Sequence, residues 1–145
     1  MNLLVYDIFR IFVSMIITKD NINKFIKGTT IDCSNMDITR LEYIPDGIIH
    51  LSCEHNKLTE LPKLPEGLVI LNCYSNKLTE LTKLPESLIS LFCYENKLTE
   101  LPKLPESLKY LYCENNNLPY KVTIDNIKEH NTLLKRKEIL KLICT

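Results

Sequence analysis

Residues 51–110 are three copies of one line: LSCEHNKLTELPKLPEGLVI, LNCYSNKLTELTKLPESLIS and LFCYENKLTELPKLPESLKY. The period is twenty residues, without drift. A fixed period in this range signals a solenoid, in which one supersecondary unit stacks on copies of itself. Within one copy the apolar residues stand at Leu68, Leu71, Cys73, Leu78, Leu81 and Leu84, and the same columns return at Leu88, Leu91, Cys93, Leu98, Leu101 and Leu104. That spacing is neither a helical face nor one long strand. Leu71-x-Cys73 alternates as a short strand does, and the spacing then loosens into a turn and an irregular return. A lone unit cannot bury six apolar residues, but a stack can. Each buried leucine contributes about 1.5–3 kcal/mol.

Leu68-x-x-Leu71-x-Cys73-x-x-Asn76-x-Leu78 resembles the leucine-rich repeat, L-x-x-L-x-L-x-x-N-x-L, with cysteine in one leucine slot. Leu101-Pro102-x-Leu104-Pro105-Glu106 is similar to the return segment of the shortest class of these repeats, found in bacterial secreted effectors and proteins of giant DNA viruses. The resemblance covers residues 48–118 strongly and 31–47 more weakly. It implies an α/β solenoid: a leucine-rich repeat stack with short parallel concave strands, an extended non-helical convex side and helical caps at both ends. The expected division is 1–30 as N-terminal helical cap, 31–120 as five repeats, and 121–145 as C-terminal helical cap.

Lysine plus arginine equal aspartate plus glutamate, 18 against 18. The balance supplies no bulk pull toward nucleic acid or an anionic membrane. Five of the six cysteines share one column: Cys33, Cys53, Cys73, Cys93 and Cys113. They are expected to fill an inward slot as small hydrophobes. Neighbouring strands lie about 4.8 Å apart, whereas a disulfide brings Cβ atoms to about 3.8 Å, so pairing along the column needs distortion. No paired short spacing of the zinc type occurs. Unpaired buried thiols suit a reducing compartment, and the expected location is cytoplasmic, the host cytoplasm for a viral or effector protein.

Residues 1–17 are apolar, broken by Asp7, Arg10 and Ser14 at intervals of three and four. The pattern predicts a helix with a wide buried face. Its charges and the lack of a basic start argue against a signal peptide, and it is too short for a membrane span. Asp20 is placed to cap a second short helix carrying Ile22, Phe25 and Ile26, with Gly28 as its stop. Leu4-Val5-Tyr6-Asp7-Ile8-Phe9 also resembles the start of an F-box, which docks a ubiquitin-ligase adaptor, although Val5 stands where that motif has proline.

Residues 31–50 read as a degenerate first repeat, with Met36 in the asparagine column. Asn56, Asn76, Asn96 and Asn116 are expected to point inward and bond the backbone of adjacent coils. Pro62, Pro65, Pro85, Pro102 and Pro105 favour an extended return path. Lysines and glutamates stack in alternating surface columns. After Leu118-Pro119-Tyr120 the pattern turns helical: Thr123 or Asp125 can cap it, Ile124, Ile127, Leu134, Leu140 and Ile143 can pack, and Lys135, Arg136, Lys137 and Lys141 suit the C-terminal end of a helix dipole.

Alternation along a strand places Ile70, Asn72 and Tyr74 outward when Leu71 and Cys73 face inward. Neighbouring strands then present His50, Ser52 and Glu54; Ser90, Phe92 and Tyr94; and Tyr110, Tyr112 and Glu114. These columns vary from copy to copy while the core columns do not. The candidate partner-binding residues on this concave face are Ile70, Asn72, Tyr74, Phe92, Tyr94, Tyr110, Tyr112 and Glu114. No histidine or cysteine sits in a catalytic pattern, and no cofactor or metal is expected. Similar effectors often carry a separate ubiquitin-ligase domain after the repeats; residues 121–145 are too few for one. Two functions follow: a non-catalytic protein-interaction module, or a substrate adaptor docking ligase machinery through its N-terminus. A protein partner is expected in both, with no nucleic acid and no membrane.

Overall fold

The computed structural model describes residues 15–144. Eight short strands follow in chain order: β1 (Met15–Ile17), β2 (Ile26–Lys27), β3 (Thr30–Asp32), β4 (Ile38–Leu41), β5 (His50–Ser52), β6 (Ile70–Asn72), β7 (Ser90–Phe92) and β8 (Tyr110–Tyr112). One α-helix, α1 (Ile127–Ile143), follows them. The principal sheet has the order β2-β3-β5-β6-β7-β8. From β3 onward it is parallel, and each residue pairs with the residue twenty later: His50 with Ile70, Ile70 with Ser90, Ser90 with Tyr110. The repeat period in the sequence is thus the rise of one coil, and the architecture is a β-solenoid of five leucine-rich coils.

The inward residues of the internal strands are fully shielded. Leu51, Leu71 and Leu91 are 0 % exposed, as are Cys53, Cys73 and Cys93. Leu58, Leu78 and Leu98, with Leu68 and Leu88, fill the interior behind them. The interior also holds an asparagine ladder. The Leu58 N–H donates to Asn76 Oδ1 at 2.9 Å, while Asn76 Nδ2 donates to the carbonyls of Cys53 and Cys73. Asn56, Asn96 and Asn116 repeat the pattern one coil away each time. A buried amide that meets backbone groups of two coils leaves none of them stranded, which is why asparagine, and not leucine, occupies this slot. The residue just before each asparagine of the ladder is left-handed: His55, Ser75, Glu95 and Asn115 have φ of 50–54°.

The return segments hold neither helix nor strand, as their prolines require. Serine joins neighbouring returns: Ser87 Oγ lies 2.7 Å from the carbonyls of both Glu66 and Leu68, and Ser107 Oγ is placed identically against Glu86 and Leu88. Thr82, which stands where other coils have proline, reaches the Pro62 carbonyl at 3.5 Å.

The N-terminal end departs from expectation. Residues 1–14, including the F-box-like stretch, lie outside the described residues. The last three residues of the expected first helix, Met15–Ile17, form a strand parallel to β4, with Ile17 opposite Leu41. Ile17 is fully buried there. The second expected helix is one 3-10 turn, Ile22–Phe25, preceded by Asn21 in place of Asp20. Asn21 is held by its side chain: the Thr18 N–H donates to Oδ1, and Nδ2 donates to the Ile16 carbonyl. Gly28 (φ 61°) lies between β2 and β3 instead of stopping a helix. The antiparallel pairing of β2 with β3 covers this edge of the principal sheet with a strand. Among the described residues the molecule is therefore a β-solenoid of about five coils with one C-terminal helix.

Helix α1 is approached through a 3-10 turn, Ile124–Asn126, where the Thr123 N–H donates to Asn126 Oδ1 at 2.8 Å. Its first turns dock on the return segment of the last coil. The imidazole of His130, 2 % exposed, lies 3.1 Å from the Pro102 carbonyl and 2.9 Å from the Tyr120 hydroxyl. A carbonyl only accepts, so Nε2 carries a proton and donates to it, and the Tyr120 hydroxyl, which can donate or accept, partners Nδ1. Ile127 packs inward, but Ile124, Leu140 and Ile143, expected as packing residues, are exposed. Further along the helix Lys137 pairs with Glu100 at 2.9 Å, and Lys141 adds its charge to the same carboxylate.

Candidate functional site

The outward face of the principal sheet is built by the residues that alternate with its buried leucines. In the column that follows each buried cysteine the order is Ser34, Glu54, Tyr74, Tyr94, Glu114. Tyr74 and Tyr94 stack face to face, with centroids 4.4 Å apart and planes 8° from parallel. His55 meets Tyr74 edge-on at 4.9 Å. One column over, Phe92 and Tyr112 stack at 5.2 Å and 5°. The solenoid dictates these stacks: side chains in equivalent positions of parallel neighbours run side by side at the strand spacing, so rings in one column must lie flat on each other.

The predicted site residues fall as follows. Ile70, Asn72, Tyr74, Phe92 and Tyr94 are half-buried, and Glu114 is exposed. Tyr110 and Tyr112 on the last strand are 55 % and 46 % exposed. Ser90, expected outward, is buried at 8 % because its small side chain sits between Ile70 and Tyr110 in one column. Two acceptors on this face, Glu54 Oε2 and Asn72 Oδ1, are shielded from solvent and meet no donor.

The face is acidic as well as aromatic. Asp32, Glu54, Glu95 and Glu114 lie on the strands or within three residues after them. Asp32 is held below the ordinary carboxylate range, chiefly by hydrogen bonds from the Ser34 hydroxyl and N–H. Burial, the Tyr74 ring beside it and the nearby Glu95 and Glu54 carboxylates push the Tyr94 phenol up. The Glu95 carboxylate also accepts a hydrogen bond from the Ser75 hydroxyl.

The cysteine column is chemically quiet. Burial raises Cys33 to about 12 and Cys113 to about 11, and drives Cys53, Cys73 and Cys93 upward too. A thiol that does not ionise near neutrality is a poor nucleophile and a poor metal ligand. Among the described residues, no group of three histidines, cysteines or carboxylates is arranged to hold a metal ion. No described helix is long and apolar enough to cross a membrane. A hollow of about 800 Å³ between α1 and the last coil is open to solvent and lined by Leu101, Pro102, Ile127 and Leu134 together with lysines and glutamates of both elements. His130 and Asn131, given no role by the sequence pattern, prove to be the polar grip of the C-terminal helix. The signal was present as two adjacent hydrogen-bonding side chains in the early part of a helix.

No protein-family model matches the chain, and no curated protein matches it. Among solved structures, YopM from Yersinia enterocolitica WA-314 is similar at 25 % identity over 66 % of this chain, with a TM-score of 0.45. The match spans 31 % of that chain.

Proposed function

We propose that the protein is a non-catalytic interaction module that engages a protein partner on the outward, concave face of its principal sheet. The observation that carries this reading is the pair of aromatic stacks, Tyr74–Tyr94 and Phe92–Tyr112, on columns that vary between coils whose core columns repeat. Aromatic side chains with fixed rotamers supply contact area at low entropic cost, and they are enriched where interfaces concentrate binding energy. Ile70, Asn72, Tyr110 and Glu114 complete the contact surface. The quiet thiols suit work in a reducing cytoplasm.

The test is affinity capture from cytosol with the intact protein and with the combined Tyr74→Ala, Phe92→Ala, Tyr112→Ala variant. The variant keeps the cooperative melt of the parent and loses the specific partner. Undiminished capture by a folded variant removes the proposal.

A further inference from the structure

The charge on this face is one-sided. Strands β3, β5, β6, β7 and β8, with the three residues after each, carry Asp32, Glu54, Glu95 and Glu114 but no lysine or arginine. The chain as a whole has 18 of each sign, and the one lysine on the strands of this sheet, Lys27 of the edge strand β2, lies at its Asp32 end. The cation nearest in sequence, Lys109, stands just ahead of β8. Two further features have the same sense. The unsatisfied side-chain atoms, Glu54 Oε2 and Asn72 Oδ1, are both acceptors and lack donors. The stacked rings also cover each other's faces, so the middle of the strip turns ring edges and tyrosine hydroxyls outward. A sugar, which packs its C–H groups on an open ring face, finds little of one in the middle of the strip. A cationic side chain finds carboxylates and hydroxyl acceptors on every coil from Glu54 to Glu114, with ring edges for its aliphatic stem.

We infer that the partner offers an extended, arginine- or lysine-rich segment, with two cations seated on Glu54 and Glu114 and the intervening residues lying across Tyr74 and Tyr94. This rests on the interaction-face reading above and adds the chemistry of the partner. The spacing follows from the coil. Glu54 and Glu114 are three coils apart in one column, about 14 Å at the usual strand separation, and an extended chain covers about 13 Å in four residues. The recognised pattern is therefore two basic residues four positions apart. Opposite charge across the contact selects this partner and repels acidic ones.

The test uses the full-length protein and two fluorescein-labelled, unstructured peptides. One carries arginines four positions apart in a glycine–serine background with one leucine between them. Its twin carries glutamates in their place. Fluorescence anisotropy at low and high salt gives the affinities. The arginine peptide is expected to bind at least about ten-fold more tightly than its twin and to weaken as salt rises. The combined E54Q and E114Q variant erases that difference, and a control E60Q and E80Q variant, altered on another surface column, keeps it. Equal affinity for the two peptides, no binding of the arginine peptide into the millimolar range, or loss in the control variant alone overturns the inference. The two proposals fail separately. If E54Q and E114Q change nothing while the aromatic variant still loses its partner, the face is an interaction site for a partner of different charge. If the aromatic variant also captures normally, both readings fall.

Discussion

Asn131 holds the backbone of Leu104 from both sides. The Leu104 N–H donates to Asn131 Oδ1, and Asn131 Nδ2 donates to the Leu104 carbonyl, each at 2.8 Å. The side-chain amide thereby pairs both backbone groups of Leu104, and with His130 on Pro102 it fixes the helix to the return segment of the last coil. Asn131→Ala is expected to cost about 1–3 kcal/mol. Asn131→Asp keeps the acceptor for the N–H but sets a carboxylate oxygen against the Leu104 carbonyl, and it is expected to destabilise at least as much. Urea denaturation of both variants measures this. Native-state hydrogen exchange should show lost protection in α1 before any loss in β5–β7.

The asparagine ladder is expected to be unequal along its length. Asn76 is buried, and its removal leaves the Leu58 N–H and two carbonyls without a partner in a dry interior. Asn76→Ala should therefore cost about 1–3 kcal/mol or more. Asn116 makes matching bonds to Leu98 and Cys93 but sits half-exposed on the last coil, where water can replace it. Asn116→Ala should cost clearly less. Equal losses in chemical denaturation would contradict the dry-interior explanation.

Tyr74 and Tyr94 should be coupled although neither belongs to the core. A double-mutant cycle through Tyr74→Ala, Tyr94→Ala and the double variant is expected to return a coupling of about 0.5–1.5 kcal/mol. A cycle of zero would mean that the stacking geometry contributes nothing beyond each ring's own packing.

Stability is expected to fall in alkali through the cysteine column. The unfolded thiol ionises near 9, whereas Cys33 in the folded chain is pushed up to about 12 and Cys113 to about 11 by burial. Between these values the folded state holds protons that the unfolded state has released, so the free energy of unfolding drops as pH rises. Below the unfolded value the contribution is complete and flat. Denaturation midpoints from about pH 8 to about pH 11 should trace the decline, and it should be shallower in Cys33→Ala and Cys113→Ala than in the parent.

What could be read from the amino acids follows the repeat. Leu71, Cys73 and Asn76 each recur every twenty residues, and periodicity of that kind encodes burial, strand position and the inward amide together. The same alternation turned Tyr74 and Phe92 outward, though Ser90 shows its limit: a small side chain between Ile70 and Tyr110 is buried by its neighbours whatever its direction. The N-terminal end was less legible. Met15–Ile17 is a short apolar run without repeat context, and such a run suits helix and strand alike. Its pairing with Ile38–Leu41 depends on a contact distant in sequence. The helix tail misled for a different reason. Leu140 and Ile143 have the composition of packing residues, yet they stay exposed, since apolar identity alone does not say which face of a lone helix meets a neighbour. The stacks Tyr74–Tyr94 and Phe92–Tyr112 follow from the column arrangement once the coils are known to be in register.

Pairing from His50 through Tyr110 advances by one constant step, with no bulge or slip between coils. A chain built this way can be lengthened or shortened by whole copies of the unit and still close its ladder, because every internal joint is identical. Duplication within the gene would then widen the aromatic and acidic strip without redesigning either end. An insertion of any other length would rotate all later side chains off their rows.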